Sequence, residues 1–265
     1  MKRKNPRAFD LIGNIAVVRF PKETKEKEKK VFAKGLLKKQ KSVKTVLEKY
    51  GKIKGRLRKI KTRYIAGIKT KEVLYKENGC VFRFNIDTTY FSPRLSNERK
   101  EIAGKIKKNA MVFVMFAGVA PFSIVIGKNS SAKMVLSNEI NREANKYAKL
   151  NIELNGLKGK VELLQGDLKK VTEKLKKQKK KFETIVMPRP QLKSTFLKQA
   201  FALSKRNTVI YYYDFCKKEE TDLVINKIKE EAKKSRKKIK ILKKKVAGEI
   251  APYKIRLRVD FRVLN

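Results

Sequence analysis

Residues 115–124 read MFAGVAPFSI, a turn of small residues between two apolar stretches. The run AMVFVMF (110–116) before the turn is typical of a buried strand, and Pro121 is a favourable first residue of a helix. The turn itself, AGVA (117–120), is uncharged in a chain that carries 70 Lys and Arg residues. Small residues at a strand-to-helix turn let a ligand approach the backbone closely, although an ordinary tight turn has the same composition. This stretch therefore predicts a ligand-binding turn at the carboxyl end of a parallel strand.

From about residue 80 onward, predicted strands alternate with predicted helices. After CVFRFNID and a helical stretch over 96–109, the strands are AMVFVMF, KMVLSNE, KVELLQGD, FETIVMP and NTVIYYYDF. Such alternation predicts an α/β fold, in which helices cover both faces of a mostly parallel sheet. The last two predicted strands, KKIKILKKKVAGE and YKIRLRVDFRVL, follow each other directly. They predict a hairpin that is added to the parallel sheet.

The first part of the chain predicts a separate small α+β domain. It opens with a strand over 10–20, and the sequence of 25–41 has helical spacing. We read SVKTVLEKYG (42–51) as a continuation of that helix up to its glycine. Two further strands are predicted within 61–79. We place the domain boundary after residue 75, which gives domains 1–75 and 76–265.

The charge of the chain predicts a polyanionic partner. Its formal net charge is +45, because 70 Lys and Arg residues face only 25 Asp and Glu residues. Self-repulsion on this scale is costly unless an anion compensates it. Nucleic acid fits this charge better than an anionic membrane does, and a surface that is merely rich in lysine is the alternative.

The residue types that are scarce or missing exclude several classes of protein. No histidine is present, which excludes Ser-His triads and histidine metal sites, and the two cysteines are too isolated for a zinc site or a disulfide framework. No apolar run reaches the roughly 18 residues of a membrane span, and the basic N-terminus lacks the apolar core of a signal peptide. We therefore expect an intracellular protein without metal or membrane, and specifically a cytoplasmic one.

Two carboxylates follow the ligand-binding turn, one at the end of each of the next two predicted strands. Glu139 ends the second predicted strand, where a carboxylate can accept hydrogen bonds from a ribose diol, and Asp167 ends the third, where it can lie beside an adenine edge. Either residue could instead cap the helix that follows it. A small turn followed by these two acids predicts S-adenosylmethionine as cofactor. The absence of GxGxxG and of GxxxxGK[ST] argues against a dinucleotide and a nucleoside triphosphate.

These features resemble the archaeal and eukaryotic-type tRNA (guanine-37 N1)-methyltransferases from about residue 9 to the C-terminus. The most specific match is TYFSPRLSNER (89–99) followed by FAGVAPF (116–122). Further matching stretches are NEIN (138–141), LNIELNG (150–156), VIYYYDF (209–215) and APYKIRLRVDF (251–261). The resemblance implies a class I S-adenosylmethionine-dependent methyltransferase (Rossmann-like) domain with a small N-terminal α+β domain. It also implies a tRNA substrate that is methylated beside the anticodon, and we expect a monomer.

The resemblance implies roles for single residues. Glu98 stands where the family keeps the general base that takes the proton of guanine N1, and Arg58 stands where an arginine reaches O6 of the same guanine. Tyr90 and Arg94 match residues that shape the active site, and Arg99 matches an arginine that supports it. The predicted cofactor-binding residues are Phe116, Ala117, Gly118, Val119, Glu139, Asp167, Arg94 and Arg99. A partly closed site would raise the pKa of Glu98, and the alternative is a solvated helix residue that pairs with Arg94.

The chain departs from the family pattern in two places near the predicted site. Val114 stands where the family usually has Asp, and Ala120 stands where it has Gly, so the geometry of the turn can differ. At the end of the fourth strand, Met187, Pro188, Arg189 and Pro190 replace an Asn-Leu-Pro type motif and remove its amide. We predict that Pro188, Arg189 and Pro190 bind the substrate. Without the amide a larger base fits, so we hypothesise that the chain also methylates C7 of 4-demethylwyosine, as some archaeal members do.

A third departure concerns the start of the chain. Family members commonly carry a further N-terminal domain that contacts the outer corner of the tRNA, whereas this sequence starts in the next domain. We therefore expect weaker dependence on the full tRNA shape, with phosphate contacts from the basic runs 169–181 and 227–245, although these lysines could also be simply solvated. The rival functions are methylation of another RNA position and non-enzymatic RNA binding, and only the latter predicts no affinity for S-adenosylmethionine.

Overall fold

The computed structural model describes residues 9–54 and 59–265 of the chain. It divides into two compact units, Met1–Pro93 and Arg94–Asn265. In the described residues, no helix is long and apolar enough to cross a membrane, and no cluster of acidic or cysteine side chains could hold a metal ion.

The first unit contains a mixed sheet, one helix and a separate hairpin. Its elements are β1 (Phe9–Ile12), β2 (Ile15–Val18), α1 (Glu26–Lys39), β3 (Thr45–Lys54), β4 (Lys59–Gly67), β5 (Glu72–Glu77) and β6 (Cys80–Asn85). Among the residues described here, the sheet has the order β1-β2-β3-β4, in which β2 and β3 are parallel, and β5 pairs with β6. The side chain of Asn14 fixes the β1–β2 turn, because its Oδ1 accepts the backbone N–H of Leu74 at 2.7 Å.

Two sequence predictions for this unit are wrong. The stretch 42–51 forms β3 rather than more helix, since α1 ends at Lys39 and the β-branched Thr45 and Val46 favour an extended backbone between β2 and β4. The single strand predicted over 10–20 is a hairpin of β1 and β2, because Gly13 turns the chain at a φ of 58°. The hairpin of β5 and β6 belongs to this first unit, and a functional boundary after residue 75 stays a prediction.

The second unit is an α/β layer structure, as the alternation of elements predicts. Its elements are α2 (Ser96–Ala103), β7 (Met111–Met115), α3 (Pro121–Asn129), β8 (Met134–Glu139), α4 (Arg142–Leu154), β9 (Val161–Gln165), α5 (Leu168–Lys177), β10 (Phe182–Met187), α6 (Leu197–Leu203), β11 (Ser204–Lys217), α7 (Thr221–Lys234), β12 (Ile239–Ala251) and β13 (Lys254–Val263). The sheet has the order β12-β13-β11-β10-β7-β8-β9. Strands β7 to β11 are parallel, and β13 runs antiparallel to both of its neighbours.

This topology positions the predicted site. The chain starts the sheet with β7 in its middle, builds outward to β9, and then returns to place β10 on the other side of β7. Ligands of open α/β sheets bind at such a switch point, beyond the carboxyl ends of the strands. The predicted terminal hairpin is confirmed as β12 and β13, but β13 inserts between β11 and β12, which the sequence does not predict.

Helix α3 lies unusually close to the sheet. Its side chains from Pro121 to Gly127 are all buried, and a Cβ added at Gly127 would lie 2.8 Å from the Cγ2 of Val161 on β9. Glycine at this position therefore lets the helix pack directly on the strands. Because α3 begins immediately after the turn at 117–120, this packing fixes the turn at the carboxyl edge of β7.

Candidate active site

The turn after β7 has an unusual backbone. Phe116, Gly118 and Ala120 all have positive φ, at 57°, 59° and 65°. The turn is closed by the N–H of Ala120, which donates to the carbonyl of Ala117 at 2.9 Å, and α3 begins at Pro121 as predicted. A left-handed backbone costs a residue other than glycine about 1–2 kcal/mol. Two such residues in a five-residue turn indicate a backbone shape that the fold maintains against local preference.

The carboxylate of Glu139 holds this turn. Its Oε2 accepts the backbone N–H of Gly118 at 2.8 Å, and its Oε1 accepts the N–H groups of Ile140 and Asn141, each at 2.8 Å. A carboxylate has room for about four hydrogen bonds, so these three leave Oε2 able to accept another donor. The predicted acid at the end of the second strand is thus structural and can also receive a ligand hydroxyl.

Asparagine side chains fix the remaining loops at this edge of the sheet. Asn151 on α4 donates to the carbonyl of Val119 at 3.2 Å, inside the turn itself. Asn138 donates to the carbonyls of Leu164 and Gly166, at 2.7 and 3.1 Å, and so joins β8 to the end of β9. Backbone polar groups that are tied in this way cannot drift, so the edge is preorganised for a ligand.

Asp167 has the capping role that the sequence offered as the alternative. It is the N-cap of α5, where its Oδ1 accepts the backbone N–H of Lys169 at 2.8 Å. The residue is only half-buried and lies directly after β9, next to the loop that Asn138 fixes. A role for Asp167 toward an adenine stays a prediction.

The predicted general base, Glu98, is buried in a cluster of donors. Only 4% of the residue is exposed. Its Oε2 accepts the hydroxyl of Tyr213 at 2.9 Å and the guanidinium Nη1 of Arg258 at 2.6 Å, and its Oε1 lies 2.7 Å from the Nζ of Lys245. The alternative of a solvated helix residue is therefore wrong.

The surroundings of Glu98 lower its pKa, and the predicted rise is wrong. Burial by itself raises the pKa of Glu98. The hydrogen bond from Lys245, the charge of Arg258 and the hydroxyl of Tyr213 outweigh burial and hold the pKa below its usual value. Sequence reasoning anticipated the burial of this carboxyl group but not the three donors, which come from β11, β12 and β13.

Aromatic contacts connect the surroundings of Glu98 with α3, the helix that follows the turn at 117–120. The ring of Tyr213, whose hydroxyl donates to Glu98, lies 5.9 Å from the ring of Phe122, the second residue of α3. The guanidinium of Arg99 lies 5.7 Å from the centre of the same Phe122 ring. The hydroxyl donor of Glu98 and its neighbour Arg99 thus both lie against Phe122, the second residue of the helix that follows the turn. Both predicted residues of α2, Glu98 and Arg99, are buried on the side that faces α3 and β11.

The other predicted residues before α2 belong to different surroundings. Arg58 lies outside the described residues. Tyr90 is half-buried in the first unit and precedes Phe91, whose ring packs 4.7 Å from that of Phe84 on the β5–β6 hairpin. Arg94 is exposed in a 3₁₀ turn that leads into α2. The roles of these residues toward substrate or cofactor stay predictions.

The loop after β10 is held from within by Arg189. Its buried guanidinium donates to Asp214 at 2.8 Å and to the hydroxyl of Tyr212 at 3.1 Å, and it also donates to the carbonyls of Pro190 and Leu192. The side chain therefore anchors the segment that contains Pro188 and Pro190. A direct substrate contact of Pro188, Arg189 or Pro190 stays a prediction.

Most lysines of the two basic runs are solvated, whereas Lys245, the last residue of the second run, contacts Glu98. On α5 the apolar side chains Leu168, Val171 and Leu175 are buried, whereas the lysines of 169–181 are exposed. The exposed lysines of 227–245 lie on α7 and β12. Such surfaces can neutralise phosphates without reading sequence.

Two family models match the chain. The model of the TRM5/TYW2 methyltransferase domain matches residues 73–242, which is more than half of the chain, and the model of the TYW2 N-terminal domain matches residues 1–70. The chain belongs to the TRM5/TYW2 methyltransferase family. The resemblance stated from the sequence and the predicted fold class are thereby confirmed.

Curated relatives in this family extend over nearly the whole chain. The tRNA (guanine(37)-N(1))-methyltransferase Trm5b of Pyrococcus abyssi is 34% identical and covers 99% of this chain and 77% of its own length. The tRNA (guanine(37)-N(1))/4-demethylwyosine(37)-methyltransferase Taw22 of Nanoarchaeum equitans is 30% identical, and the match covers 97% of this chain and all of Taw22.

Solved structures of the family show the same fold. A complex of aTrm5 with tRNALeu has a TM-score of 0.83 at 29% identity, and the match covers 98% of this chain and 72% of that chain. Methanocaldococcus jannaschii Trm5 in complex with adenosine has a TM-score of 0.80 at 28% identity, over 97% of this chain and 72% of that chain.

Several residues that shape the family site here escaped the sequence analysis. Arg258 and Lys245 lie in the two C-terminal strands, 160 and 147 positions after Glu98. Tyr213 and Asn151 lie in stretches that match the family, but nothing in their spacing assigns them a partner. In β13, KIRLRVDFRV, charged residues alternate with apolar ones, a pattern typical of a strand with one solvated face, so the sequence does not indicate that Arg258 is buried.

Proposed function

We propose that this chain transfers a methyl group from S-adenosylmethionine to N1 of guanine 37 in tRNA. The observation that carries the proposal is the buried Glu98, which accepts the hydroxyl of Tyr213, while the ring of Tyr213 packs against Phe122 two residues after the turn at 116–120. The Pyrococcus abyssi relative, 34% identical over almost the whole chain, is named for this activity.

The residues at the carboxyl edge of β7 to β9 fit the cofactor. The positive φ angles at 116, 118 and 120 expose backbone to a ligand, and Glu139 can accept a ribose hydroxyl while it holds Gly118. Phe116, Ala117, Val119 and Asp167 are the other residues at this edge that we assign to the cofactor site. When bound, S-adenosylmethionine supplies an electrophilic methyl group. The relative from Methanocaldococcus jannaschii was solved with adenosine, which supports a nucleoside site in this fold.

Glu98 supplies the proton acceptor. Guanine N1 carries a proton and is a poor nucleophile until that proton leaves. The carboxylate of Glu98 takes the proton, and the electron pair of the N1–H bond becomes available for the new N–C bond; the S–CH₃ bond of the donor would break with its electron pair left on the sulfur of the departing thioether. Because donors hold the pKa of Glu98 low, the acceptor form is already present at neutral pH.

The charge distribution supports tRNA as the substrate. The net charge of +45 and the exposed lysines of α5, α7 and β12 suit a phosphate backbone. The structural relative in complex with tRNALeu adds support. Reaching N1 requires the base to leave the anticodon stack. A monomeric state and a cytoplasmic location stay predictions.

A second activity, methylation of C7 of 4-demethylwyosine, follows from a specific observation. Pro188 stands where most members keep an amide, and Arg189 draws the segment inward toward Asp214. Position 188 therefore presents no amide to the edge of the base. The Nanoarchaeum equitans relative named for both activities, and the match to the TYW2 N-terminal domain, support this second substrate.

The test uses purified protein, transcript tRNA and labelled S-adenosylmethionine. We expect 1-methylguanosine by mass spectrometry of digested tRNA, and a second product with tRNA that bears 4-demethylwyosine. Glu98→Gln should lower the rate by about 10² to 10⁴-fold while calorimetric cofactor affinity is retained. Glu153→Gln removes a carboxylate that pairs with Lys158 and is the matched control. Full activity of Glu98→Gln, or no binding of S-adenosylmethionine to the native protein, would refute the proposal.

A further inference from the structure

A buried ionic cluster surrounds the proposed base, and its centre is Arg258 on β13. The guanidinium is fully buried, at 0% exposure. Its Nη1 donates to Glu98 at 2.6 Å, its Nη2 donates to Glu101 at 2.7 Å, and its Nε donates to Asp260 at 2.7 Å. One planar group therefore orients three carboxylates on two elements, α2 and β13.

Glu98 receives a donor from each of three neighbouring strands. Tyr213 comes from β11, Lys245 from β12 and Arg258 from β13. Both carboxylate oxygens are engaged, Oε2 by Tyr213 and Arg258 and Oε1 by Lys245. The carboxylate cannot rotate without breaking at least one of these contacts.

Further charged and titratable groups face the cluster. Lys105, just after α2, lies 2.7 Å from Glu101 and 3.6 Å from Asp260, and Lys243 on β12 lies 3.9 Å from Glu101. The ring of Tyr211 on β11 lies 5.8 Å from the guanidinium carbon of Arg258. Burial raises the pKa of Tyr211 to about 12, so this phenol stays neutral beside the cluster.

A purely structural role explains this arrangement poorly. Burying charges costs several kcal/mol per ion, and well-packed apolar residues often stabilise a fold better than a buried ion pair does. Glu98 nevertheless receives two cationic donors and one hydroxyl, and the ring that carries the hydroxyl packs against Phe122 of α3. The donors also control the protonation of Glu98, because they outweigh the burial that raises its pKa.

We infer that Tyr213, Lys245 and Arg258 are positioning residues that hold the Glu98 carboxylate in one orientation and in its charged form during methyl transfer. The inference rests on the proposed function, since it assigns the environment of the proposed base. None of the three needs to touch the guanine. They act through Glu98.

Tyr213→Phe gives the sharpest test, because it removes one hydroxyl and leaves all charges and the ring in place. Loss of a donor raises the pKa of Glu98, so the base protonates at a higher pH. When the single-turnover rate on transcript tRNA is plotted against pH, the rate falls at the acidic side, which we call the acid limb. We expect the midpoint of this acid limb to move to higher pH by about one unit. The affinities for S-adenosylmethionine and tRNA should stay within twofold. Tyr211→Phe is the matched control, because this phenol lies on the same strand and has no described hydrogen bond to Glu98; its acid limb should not move.

Lys245→Met and Arg258→Lys extend the test. Lys245→Met removes the donor to Oε1 from the partly exposed edge strand and should move the acid limb in the same direction. Arg258→Lys keeps the charge but cannot reach three carboxylates, so kcat should fall at least tenfold while KM for tRNA is unchanged. Should Arg258→Lys fail to fold, Tyr213→Phe and Lys245→Met still decide the question.

The outcomes separate this inference from the proposed function. An inactive Glu98→Gln variant together with unmoved acid limbs in Tyr213→Phe and Lys245→Met would overturn the inference and leave the function intact. A fully active Glu98→Gln variant would instead remove the function on which the inference rests. A shift in Tyr213→Phe but not in Tyr211→Phe supports the assignment of the donors.

Discussion

The Glu139 carboxylate at the end of β8 accepts the backbone N–H of Gly118, in the turn after β7, at 2.8 Å. One side chain thus joins the carboxyl ends of two adjacent parallel strands. The bond also orients the residue that is proposed to receive the ribose, because the same carboxylate has capacity for one more donor. We therefore expect turn geometry and cofactor affinity to be coupled through Glu139.

Glu139→Gln should loosen the turn at Gly118 and weaken the binding of S-adenosylmethionine. A glutamine must direct its NH₂ group at the N–H of Gly118 or at those of Ile140 and Asn141, so at least one acceptor is lost. We expect S-adenosylmethionine affinity to fall by at least about tenfold, the loss of about one charge-assisted hydrogen bond. Calorimetry measures it, and Glu162→Gln on the exposed face of β9 is the control. Equal affinities of the wild type and Glu139→Gln would contradict the proposed role.

Ala120→Gly should stabilise the protein. Ala120 has a φ of 65° and a ψ of 32°, a left-handed conformation that costs alanine about 1–2 kcal/mol. Glycine removes this cost but loses about 0.4–1 kcal/mol through its freer unfolded chain. The free energy of unfolding in urea should therefore rise by up to about 1 kcal/mol. Ala117→Gly, in the same turn but without a positive φ, should lower it. A lower stability of Ala120→Gly would show that the Cβ contacts of Ala120 outweigh its backbone strain.

Arg189→Met should be strongly destabilising. The substitution leaves the buried carboxylate of Asp214 without its cation and frees the carbonyls of Pro190 and Leu192. Breaking a buried pair in this way costs about 3–5 kcal/mol. Denaturant unfolding measures the loss, and Arg206→Met, at an exposed position of β11, should change stability by less than about 0.5 kcal/mol. A similar small effect of both substitutions would mean that Arg189 does not anchor the loop.

Binding of tRNA should depend steeply on salt. If about six phosphates are neutralised, affinity falls by roughly 10³ between about 50 and 200 mM monovalent salt. Filter binding or fluorescence anisotropy across that range gives the slope directly. Replacing Lys174 and Lys177 on α5 by Gln should reduce the slope if this surface touches the backbone. A flat salt response of the native protein would argue against an electrostatic footprint.

The sequence predicts local features of this fold well. The alternation of strands and helices, the start of α3 at Pro121 and the positions of Glu139 and Asp167 at strand ends all follow from short-range patterns. The stretch 42–51 misleads because its Lys, Glu and Leu residues suit a helix, whereas pairing with β2 and β4 makes it a strand. Tertiary pairing decides such segments, and single-sequence patterns do not contain it.

The electrostatics of the site could not be predicted in the same way. The sign of the pKa shift of Glu98 depends on Lys245 and Arg258, which the chain supplies from strands far along the sequence. Burial alone predicts a rise, and the observed direction follows only when the donors are counted. The insertion of β13 between β11 and β12, which brings Arg258 to Glu98, is likewise a long-range choice.

Arg258 follows Glu98 by 160 positions, so the ribosome synthesises the arginine well after the glutamate. At ribosomal speeds of about 5–20 residues per second, the glutamate leaves the polymerisation centre roughly 8 to 32 s before the arginine is even synthesised. Throughout that interval Glu98 and Glu101 lack the guanidinium of Arg258, which later donates to both. The donors of Glu98 are therefore complete only after β13 has been synthesised and has paired with β11 and β12.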